Sequence, residues 1–224
     1  IKKELTSDVP GLPQSEPALK ITYVDPSQFD GLLTYVRNIL IVNIDPAIYT
    51  KASVSYENDR WAKGQVVVTL NAPSPEAIIE YMDAHPKALV DFFVKTEMNR
   101  AMDQLQKDYS AVVMENLKNN HDLMLNAPAN MTYYRDTTDF FWASNNANTG
   151  RTDLIVYTFP YTDPNTFTAE YLIAKRDSVL KKNLPGAFPE SYMATETRAD
   201  VSYTPITVNG QYCGVLRGLW KMVG

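Results

Sequence analysis

The sequence contains few of the residues from which metal sites, disulfides and nucleophilic active sites are built. Its 224 residues include one cysteine, Cys213, and two histidines, His85 and His121. A single cysteine excludes a disulfide framework, and neither histidine has a partner at the spacing of a metal-binding motif. We therefore predict no metal site, place both histidines at the surface or at helix caps, and interpret Cys213 as a small buried strand residue.

Glycine-rich phosphate-binding and catalytic motifs are also missing. Only nine glycines occur, and no Gly-x-Gly-x-x-Gly run, Walker pattern or Gly-x-Ser-x-Gly elbow is present. A nucleotide cofactor held by such a loop is therefore excluded. We predict no cofactor and assign no catalytic residue. Paired carboxylates converge in space rather than in sequence, so hydrolysis by two acidic residues stays open as an alternative.

The charge pattern excludes further classes of partner. The chain has 21 Lys and Arg against 26 Asp and Glu, a net charge of −5. Without a basic run, the chain lacks the footprint that nucleic-acid phosphates or an anionic membrane surface require. No apolar run reaches the roughly 18–20 residues that span a bilayer. The hydrophobic content of 45% is typical of a globular chain.

The start of the chain is predicted to combine an extended connector with a short strand and a helix. The prolines at residues 9–17 are too dense for regular structure. Residues 19–24 are a strand candidate, and Asp25-Pro26 is a typical cap and first-turn pair for a helix. The helix would be amphipathic, with one apolar side made of Phe29, Leu32, Leu33 and Val36.

Three strands and a long helix complete the first half. The β-branched run at residues 38–44 predicts a strand buried on both faces. Residues 51–56 and 65–70 are predicted to form a hairpin. Ser74-Pro75-Glu76 starts a helix that the apolar spacing extends to about Asn120, and Pro86 must kink or divide it.

The second half is predicted to be rich in strands. Thr168 caps a helix that ends near Asn183, and Asn209-Gly210 is a strong signal for a tight hairpin. The strand candidates cover residues 131–134, 140–143, 154–159, 192–197, 206–208 and 211–216.

A weak internal repeat bears on the fold class. An Asp-Pro-x-x-Phe spacing occurs at residues 25–29 and again at 163–167. In both places the predicted order is β-α-β-β-β, which fits either a duplicated unit or chance recurrence of a common turn dipeptide. We predict an α+β fold of mostly antiparallel sheets covered by helices, with two related halves if the repeat is real. The predicted domains are residues 1–122, ending in the long kinked helix, and residues 123–224.

Both ends of the chain carry an expectation of their own. The first residue is Ile1 rather than Met, and residues 219–223 form an apolar run close to the end. We expect a trimmed start and a truncated C-terminal half, since a bare apolar terminal strand is an aggregation hazard.

Aromatic residues are the main resource for binding. The chain has 14 Tyr, 8 Phe and 3 Trp. They fit either sheet faces under helices or a stacking platform for sugars or peptides. We select Trp61, Arg217 and Trp220 as candidate binding residues, because Trp61 lies at a hairpin and the other two lie close together among strand glycines. Arg217 would either pair with a buried acid or present its guanidinium to a ligand.

Several runs, taken in order, resemble the DUF4837 family of envelope lipoproteins typical of Bacteroidetes. The runs are Arg37-Asn38-Ile39-Leu40-Ile41-Val42, Trp61-Ala62-Lys63, Tyr161-Thr162-Asp163 with Phe167-Thr168, Tyr171 to Lys181, and Arg217-Gly218-Leu219-Trp220. The resemblance extends over residues 19–224. It implies a lipid anchor on a cysteine upstream of Ile1 and further sequence after Gly224, and it supplies no catalytic residue, cofactor or substrate.

These observations favour a non-enzymatic binding or interaction module of the cell envelope. The expected partner is an envelope protein or a glycan, with membrane contact only through the lipid anchor outside this chain. Two alternatives stay open. A glycan hydrolase would need two convergent carboxylates, one with a raised pKa. A structural self-assembly module would need a broad apolar surface.

Overall fold

The computed structural model describes residues Ile1 to Gly224 and has an α+β fold, as the sequence predicts. The five α-helices are α1 (Lys2–Leu5), α2 (Pro75–Ala84), α3 (Ala88–Lys107), α4 (Ala111–His121) and α5 (Ala169–Asn183). The ten strands are β1 (Asn38–Ile44), β2 (Ser53–Asn58), β3 (Val66–Ala72), β4 (Tyr133–Thr137), β5 (Phe140–Ser144), β6 (Asp153–Tyr157), β7 (Tyr192–Thr195), β8 (Ser202–Val208), β9 (Gln211–Arg217) and β10 (Trp220–Val223). No helix is both long enough and apolar enough to cross a membrane.

The chain forms two compact units. Unit 1 contains residues 1–9 and 16–98, and unit 2 contains residues 10–15 and 99–224. The chain passes from one unit to the other within α3. The division into independent domains after residue 122 stays a prediction.

Unit 1 is built on a three-stranded sheet with β3 at its centre. The order is β1-β3-β2, with β1 parallel and β2 antiparallel to β3. Because β3 has a neighbour on each side, it is the buried strand, and Val67 and Leu70 are fully enclosed. The prediction that residues 38–44 are buried on both faces is wrong, since β1 is an edge strand whose last residues are exposed. An apolar run does not show which strand lies in the middle.

The predicted long helix is three helices. Ser74 caps α2 by accepting a hydrogen bond from the Ala77 N–H, and Pro86 lies in the break before α3. A second break, which the apolar spacing does not show, separates α3 from α4. There Ser110 caps α4 by accepting from the Val113 N–H. The apolar sides of α2 and the first part of α3 pack on β3 through Ile78, Met82, Leu89, Val90 and Phe93.

Residues 19–36 differ from the prediction. No strand forms at residues 19–24, and the amphipathic helix is replaced by two short 3₁₀ turns, Pro26–Gln28 and Gly31–Tyr35. Gly31 has a φ of +50°, a left-handed conformation that interrupts a helix between the two turns. As a result Leu32 does not reach the core and is 88% exposed.

Unit 2 contains three small sheets. The first is antiparallel, in the order β4-β5-β6, and α4 packs on it. Phe141 of the central strand β5 is fully buried in this core. The other members of the core are Val113, Leu117, Ala127, Met131 and Ala143.

The other two sheets of unit 2 are two-stranded. In one, β10 pairs antiparallel with β7, so the terminal apolar run has a strand partner along one edge. The other is the predicted hairpin of β8 and β9 around Asn209-Gly210. Both turn residues have positive φ, +49° and +79°, which is the conformation that this dipeptide favours.

In the structure, the two copies of the internal repeat have only a similar turn in common. Asp25 and Asp163 each precede a proline and cap a 3₁₀ turn, accepting from the N–H groups of Ser27 and Asn165. The second half has the order β-α-β-β-β through β6, α5, β7, β8 and β9. The first half lacks the opening strand and the α-helix of that order.

Candidate functional site

The most exposed cluster of contacting aromatic rings lies in unit 2, and we call it the aromatic surface: Tyr161, Phe167, Tyr203 and Tyr212. The rings of Tyr161 and Phe167 have centroids 5.8 Å apart, and Phe167 meets Tyr212 edge to face at 5.0 Å. Tyr161, Phe167 and Tyr212 are 67%, 40% and 53% exposed. The cluster therefore presents apolar ring area and tyrosine hydroxyl groups to solvent.

The β8–β9 hairpin positions two of these rings. Its register places Tyr203 opposite Leu216 and Tyr212 opposite Thr207, so both tyrosines project from the same face. Tyr203 lies over Gly214, where an added Cβ would come within 2.6 Å of the ring. The missing side chain at Gly214 lets the hydroxyl groups of Tyr203 and Tyr212 approach to 2.8 Å. This hydrogen bond raises the pKa of the Tyr203 hydroxyl.

The hairpin is almost uncharged. Arg217 is the only charged residue between Ser202 and Arg217, and the remaining side chains are mainly Thr, Tyr, Gln and small apolar groups. Apolar rings with neutral polar neighbours can be desolvated on binding without stranding a buried charge. The surface is therefore suited to direct contact with another molecule.

Two of the predicted binding residues lie at the end of this hairpin. Arg217 is the last residue of β9, opposite Ser202; it is exposed, and its side chain makes no ion pair or hydrogen bond within the protein. Trp220 begins β10 opposite Thr195 and is 59% exposed. Of the two alternatives for Arg217, pairing with a buried acid does not occur.

Trp61, the third predicted binding residue, lies in unit 1 in the loop between β2 and β3. The Arg60 guanidinium lies 4.3 Å from its ring centroid, and Phe29 contacts the ring edge to face at 5.6 Å. Its backbone N–H donates to the Gln65 side-chain carbonyl at 3.1 Å. Trp61 is half-buried. It therefore packs against other residues of unit 1 but keeps part of its side chain exposed to solvent. A binding role for Trp61, Arg217 and Trp220 stays a prediction.

A partly buried polar cluster, which sequence analysis did not identify, connects α5 to β7 in unit 2. The Asp177 carboxylate accepts from both the N–H and the hydroxyl of Thr195, at 3.0 and 2.7 Å. Arg176 donates to the same hydroxyl and lies 3.5 Å from Asp177. Since Arg176 and Asp177 are separated from Thr195 in the sequence, only the helix–strand packing brings them together.

His121 and Asp136 form a second buried polar contact in unit 2. The His121 Nε2 and the Asp136 Oδ1 are 2.7 Å apart, and Asn120 donates to the other carboxylate oxygen at 2.6 Å. Burial alone would raise the pKa of Asp136, but the hydrogen bonds from His121 and Asn120 outweigh it and lower the pKa below 3.8. His121 lies in the last turn of α4, near a helix end as expected, but its side chain is only 1% exposed, so the surface alternative is wrong. His85 does cap a helix, α2.

Unit 1 contains a cavity of about 100 Å³ between the sheet and two helices. Its lining has no carboxylate; it is made of Val54, Tyr56, Val68, Tyr81, Met82, His85, Ala88, Leu89 and Phe92. The carboxyl groups whose pKa is clearly shifted are all shifted downwards: Asp25, Glu76, Asp136 and Glu196. The raised pKa that the hydrolase alternative requires is not found among them.

The thiol and metal predictions can be placed in the structure. Cys213 lies in β9 opposite Ile206 and is half-buried rather than buried. No group of three or more His, Cys, Asp or Glu side chains is arranged to hold a metal ion. The acidic stretch at residues 57–59 lies at an exposed hairpin end.

The fold and the exposed aromatic rings define an α+β protein with an open surface in its second unit. The chain belongs to the DUF4837 family, a domain of unknown function whose model matches residues 110–224. A second domain of unknown function, DUF8532, matches residues 1–106. The runs at residues 37–42 and 61–63, which contributed to the resemblance, lie in the part that DUF8532 matches. Comparison with curated proteins and with solved structures gave no match.

Proposed function

We propose that this protein is a non-enzymatic binding module of the cell envelope that contacts its partner through the aromatic surface. The observation that supports this proposal is the cluster of contacting, solvent-exposed rings formed by Tyr161 and Phe167 together with Tyr212 of the almost uncharged β8–β9 hairpin. Tyrosine and other aromatic residues contribute much of the binding free energy of protein interfaces, because each buries a large rigid area and keeps a polar edge.

The arrangement of the rings favours a protein partner over a glycan. Phe167 and Tyr212 meet at an interplanar angle of 85°, and Tyr161 and Phe167 at 56°. A sugar stacks on a single flat, open ring face, whereas tilted rings form an uneven apolar cluster. Such a cluster fits the side chains of another protein.

Affinity capture from native envelopes tests this role. The bait is the full-length protein, either wild type or with Tyr161→Ser and Tyr212→Ser together. The matched control carries Tyr23→Ser and Tyr35→Ser, which remove two tyrosines of unit 1 that are 84% and 63% exposed. We expect the wild type and the control to recover the same amount of one partner. The Tyr161/Tyr212 variant should recover at least tenfold less of it.

The captured material also separates the alternatives. Thermal unfolding of all baits shows whether the substitutions leave the fold intact. Equal recovery by the two double variants would contradict the proposal. Capture of a glycan in place of a protein would make the glycan the partner, and capture of the chain itself would favour a self-assembly module.

We also propose that the full-length protein is attached to an envelope membrane by a lipid. This location is supported by the resemblance to envelope lipoproteins and agrees with a binding role at the membrane. Metabolic labelling with an alkyne fatty acid tests it in the native host. The label should appear on the wild-type protein and disappear when the acceptor cysteine is replaced by serine. An unlabelled wild-type protein would overturn the assignment.

A further inference from the structure

The outer edge of β2, in unit 1, has unpaired backbone groups. β2 has β3 as its only strand neighbour, and the Asp59 N–H, just beyond β2, donates to the Gln65 carbonyl. Backbone groups of alternate residues in a strand point to the same side. The N–H and C=O groups of Val54, Tyr56 and Asn58 therefore point away from β3, and none of them is bonded within the protein. Such an edge can accept an additional strand.

The cavity of unit 1 opens beside this edge. Val54 and Tyr56 line it with their side chains, while their backbone groups point to the free edge. The opposite wall is formed by α2 and the start of α3, through His85, Ala88 and other residues. Every second side chain of an added strand points to the helix side of the sheet. One such side chain would enter the cavity.

The size of the cavity selects the side chain. Its volume is about 100 Å³. An engineered apolar cavity of about 150 Å³ holds a benzene ring. The cavity beside β2 therefore suits a branched aliphatic side chain such as Val, Leu or Ile better than an aromatic ring.

Ring contacts hold the cavity walls in place. Tyr81 stacks on His85 with centroids 4.3 Å apart, and Tyr56 packs on Phe92 at 5.0 Å. The His85 Nδ1 lies 2.9 Å from the Tyr81 carbonyl oxygen. Because a carbonyl only accepts hydrogen bonds, Nδ1 carries the proton, and the ring orientation is fixed at the break between α2 and α3. The site is therefore formed before a ligand arrives.

We infer that the edge of β2 and the adjoining cavity bind an extended segment of a partner protein by strand addition. The segment pairs with the backbone of Val54, Tyr56 and Asn58 and inserts a Val, Leu or Ile side chain into the cavity. This peptide site lies in unit 1 and is separate from the aromatic surface of unit 2.

Selection from a random octapeptide library, with the complete chain as the immobilised target, tests this inference. We expect the enriched peptides to share a Val, Leu or Ile residue at a common position. Synthetic fluorescent copies of the enriched peptides should bind the Ala88→Phe variant, in which the cavity is filled, at least tenfold more weakly. The matched control is Ala84→Phe, since Ala84 is exposed at the end of α2 and does not line the cavity. It should bind like the wild type.

A second variant tests the backbone pairing. Asn58→Pro removes an amide that points to the free edge and leaves the cavity lining intact. It should weaken the same peptides severalfold, while the Tyr161/Tyr212 variant of the aromatic surface should bind them normally. Enrichment of no peptide family, or equal binding by Ala88→Phe and Ala84→Phe, would overturn the inference. Loss of binding in the Tyr161/Tyr212 variant would place the peptides on the aromatic surface instead.

Discussion

The two units organise their interiors differently. Unit 1 encloses one apolar strand, β3, and Gln65 is its only buried polar residue. Unit 2 distributes its strands over three small sheets and buries five polar residues: Ser110, Ser144, Thr166, Ser191 and Thr195. A two-stranded sheet is marginal on its own, because it cannot enclose a core. Unit 2 therefore combines an apolar core with buried polar residues, whereas the interior of unit 1 is almost entirely apolar.

The largest expected effect is in unit 1. Leu70 is fully buried at the centre of the core, so Leu70→Ala should lower the free energy of unfolding by about 2–5 kcal/mol through lost apolar contact and a cavity. Urea unfolding measures this change. Val208→Ala, on the exposed side of the β8–β9 hairpin, is the control and should stay within about 0.5 kcal/mol of the wild type. Equal losses would break the comparison.

The second effect tests the polar contacts of unit 2. At pH 7, Asp136→Asn should lower the free energy of unfolding by about 1–3 kcal/mol, because it weakens the hydrogen bonds to buried His121 and to Asn120. The control is Asp139→Asn, because Asp139 is exposed in the turn between β4, which contains Asp136, and β5.

The same Asp136 variant predicts a pH dependence. The folded-state pKa of Asp136 is lowered from 3.8, so its contribution to stability is complete above that value and is lost as the pH falls through the lowered pKa. The difference between wild type and Asp136→Asn should therefore shrink in acid. A difference that stays constant from pH 7 to pH 2 would show that the carboxylate charge does not matter.

The third prediction concerns Gly214. A Cβ at this position would displace the Tyr203 ring, so Gly214→Ala should cost about 1 kcal/mol and break the hydrogen bond between the two tyrosines. The ring lies at the end of a movable side chain, which keeps the cost modest. In a Tyr203→Ala background the same substitution should cost clearly less. A double-mutant cycle in urea measures the coupling, and strict additivity would contradict the contact.

The smallest effect is expected at Trp61. Arg60→Ala removes a guanidinium lying 4.3 Å from the Trp61 ring centroid, and a contact of this kind at an exposed site contributes about 0.5–1 kcal/mol. Tryptophan fluorescence reports the change around Trp61 when Trp142 and Trp220 are replaced by Phe in both proteins, and Arg60→Lys should retain part of the contact. An unchanged spectrum in Arg60→Ala would contradict the contact between the Arg60 guanidinium and the Trp61 ring.

Local sequence signals predicted the elements whose ends are fixed by one residue or dipeptide. Ser74 and Thr168 cap their helices with their own side-chain hydroxyls, Asn209-Gly210 forms its turn through its own backbone geometry, and all three form as expected. The amphipathic pattern at residues 29–36 failed because Gly31 adopts a left-handed conformation. The burial predicted for residues 38–44 failed because strand order, which the run does not encode, places β3 in the centre.

The candidate sites were less accessible to sequence reasoning. The aromatic content predicted a binding surface, but the rings that form it, Tyr161, Phe167, Tyr203 and Tyr212, come from three separate segments. The cavity required β2, α2 and α3 to meet, and the Pro86 break was the only local signal near it. Register gives a clearer indication in one case: Gly214 and Tyr203 are neighbours on one hairpin face, so a glycine there suggests a ring lying over it.

The most direct test of a binding role for the aromatic surface is photocrosslinking in living cells. A benzophenone amino acid replaces Tyr212, which is 53% exposed, in one strain and Tyr35, a tyrosine of unit 1 that is 63% exposed, in another. The account predicts one discrete higher-mass adduct after irradiation of the Tyr212 strain and none from the Tyr35 strain. The absence of an adduct at Tyr212, or the same adduct from both positions, would contradict it.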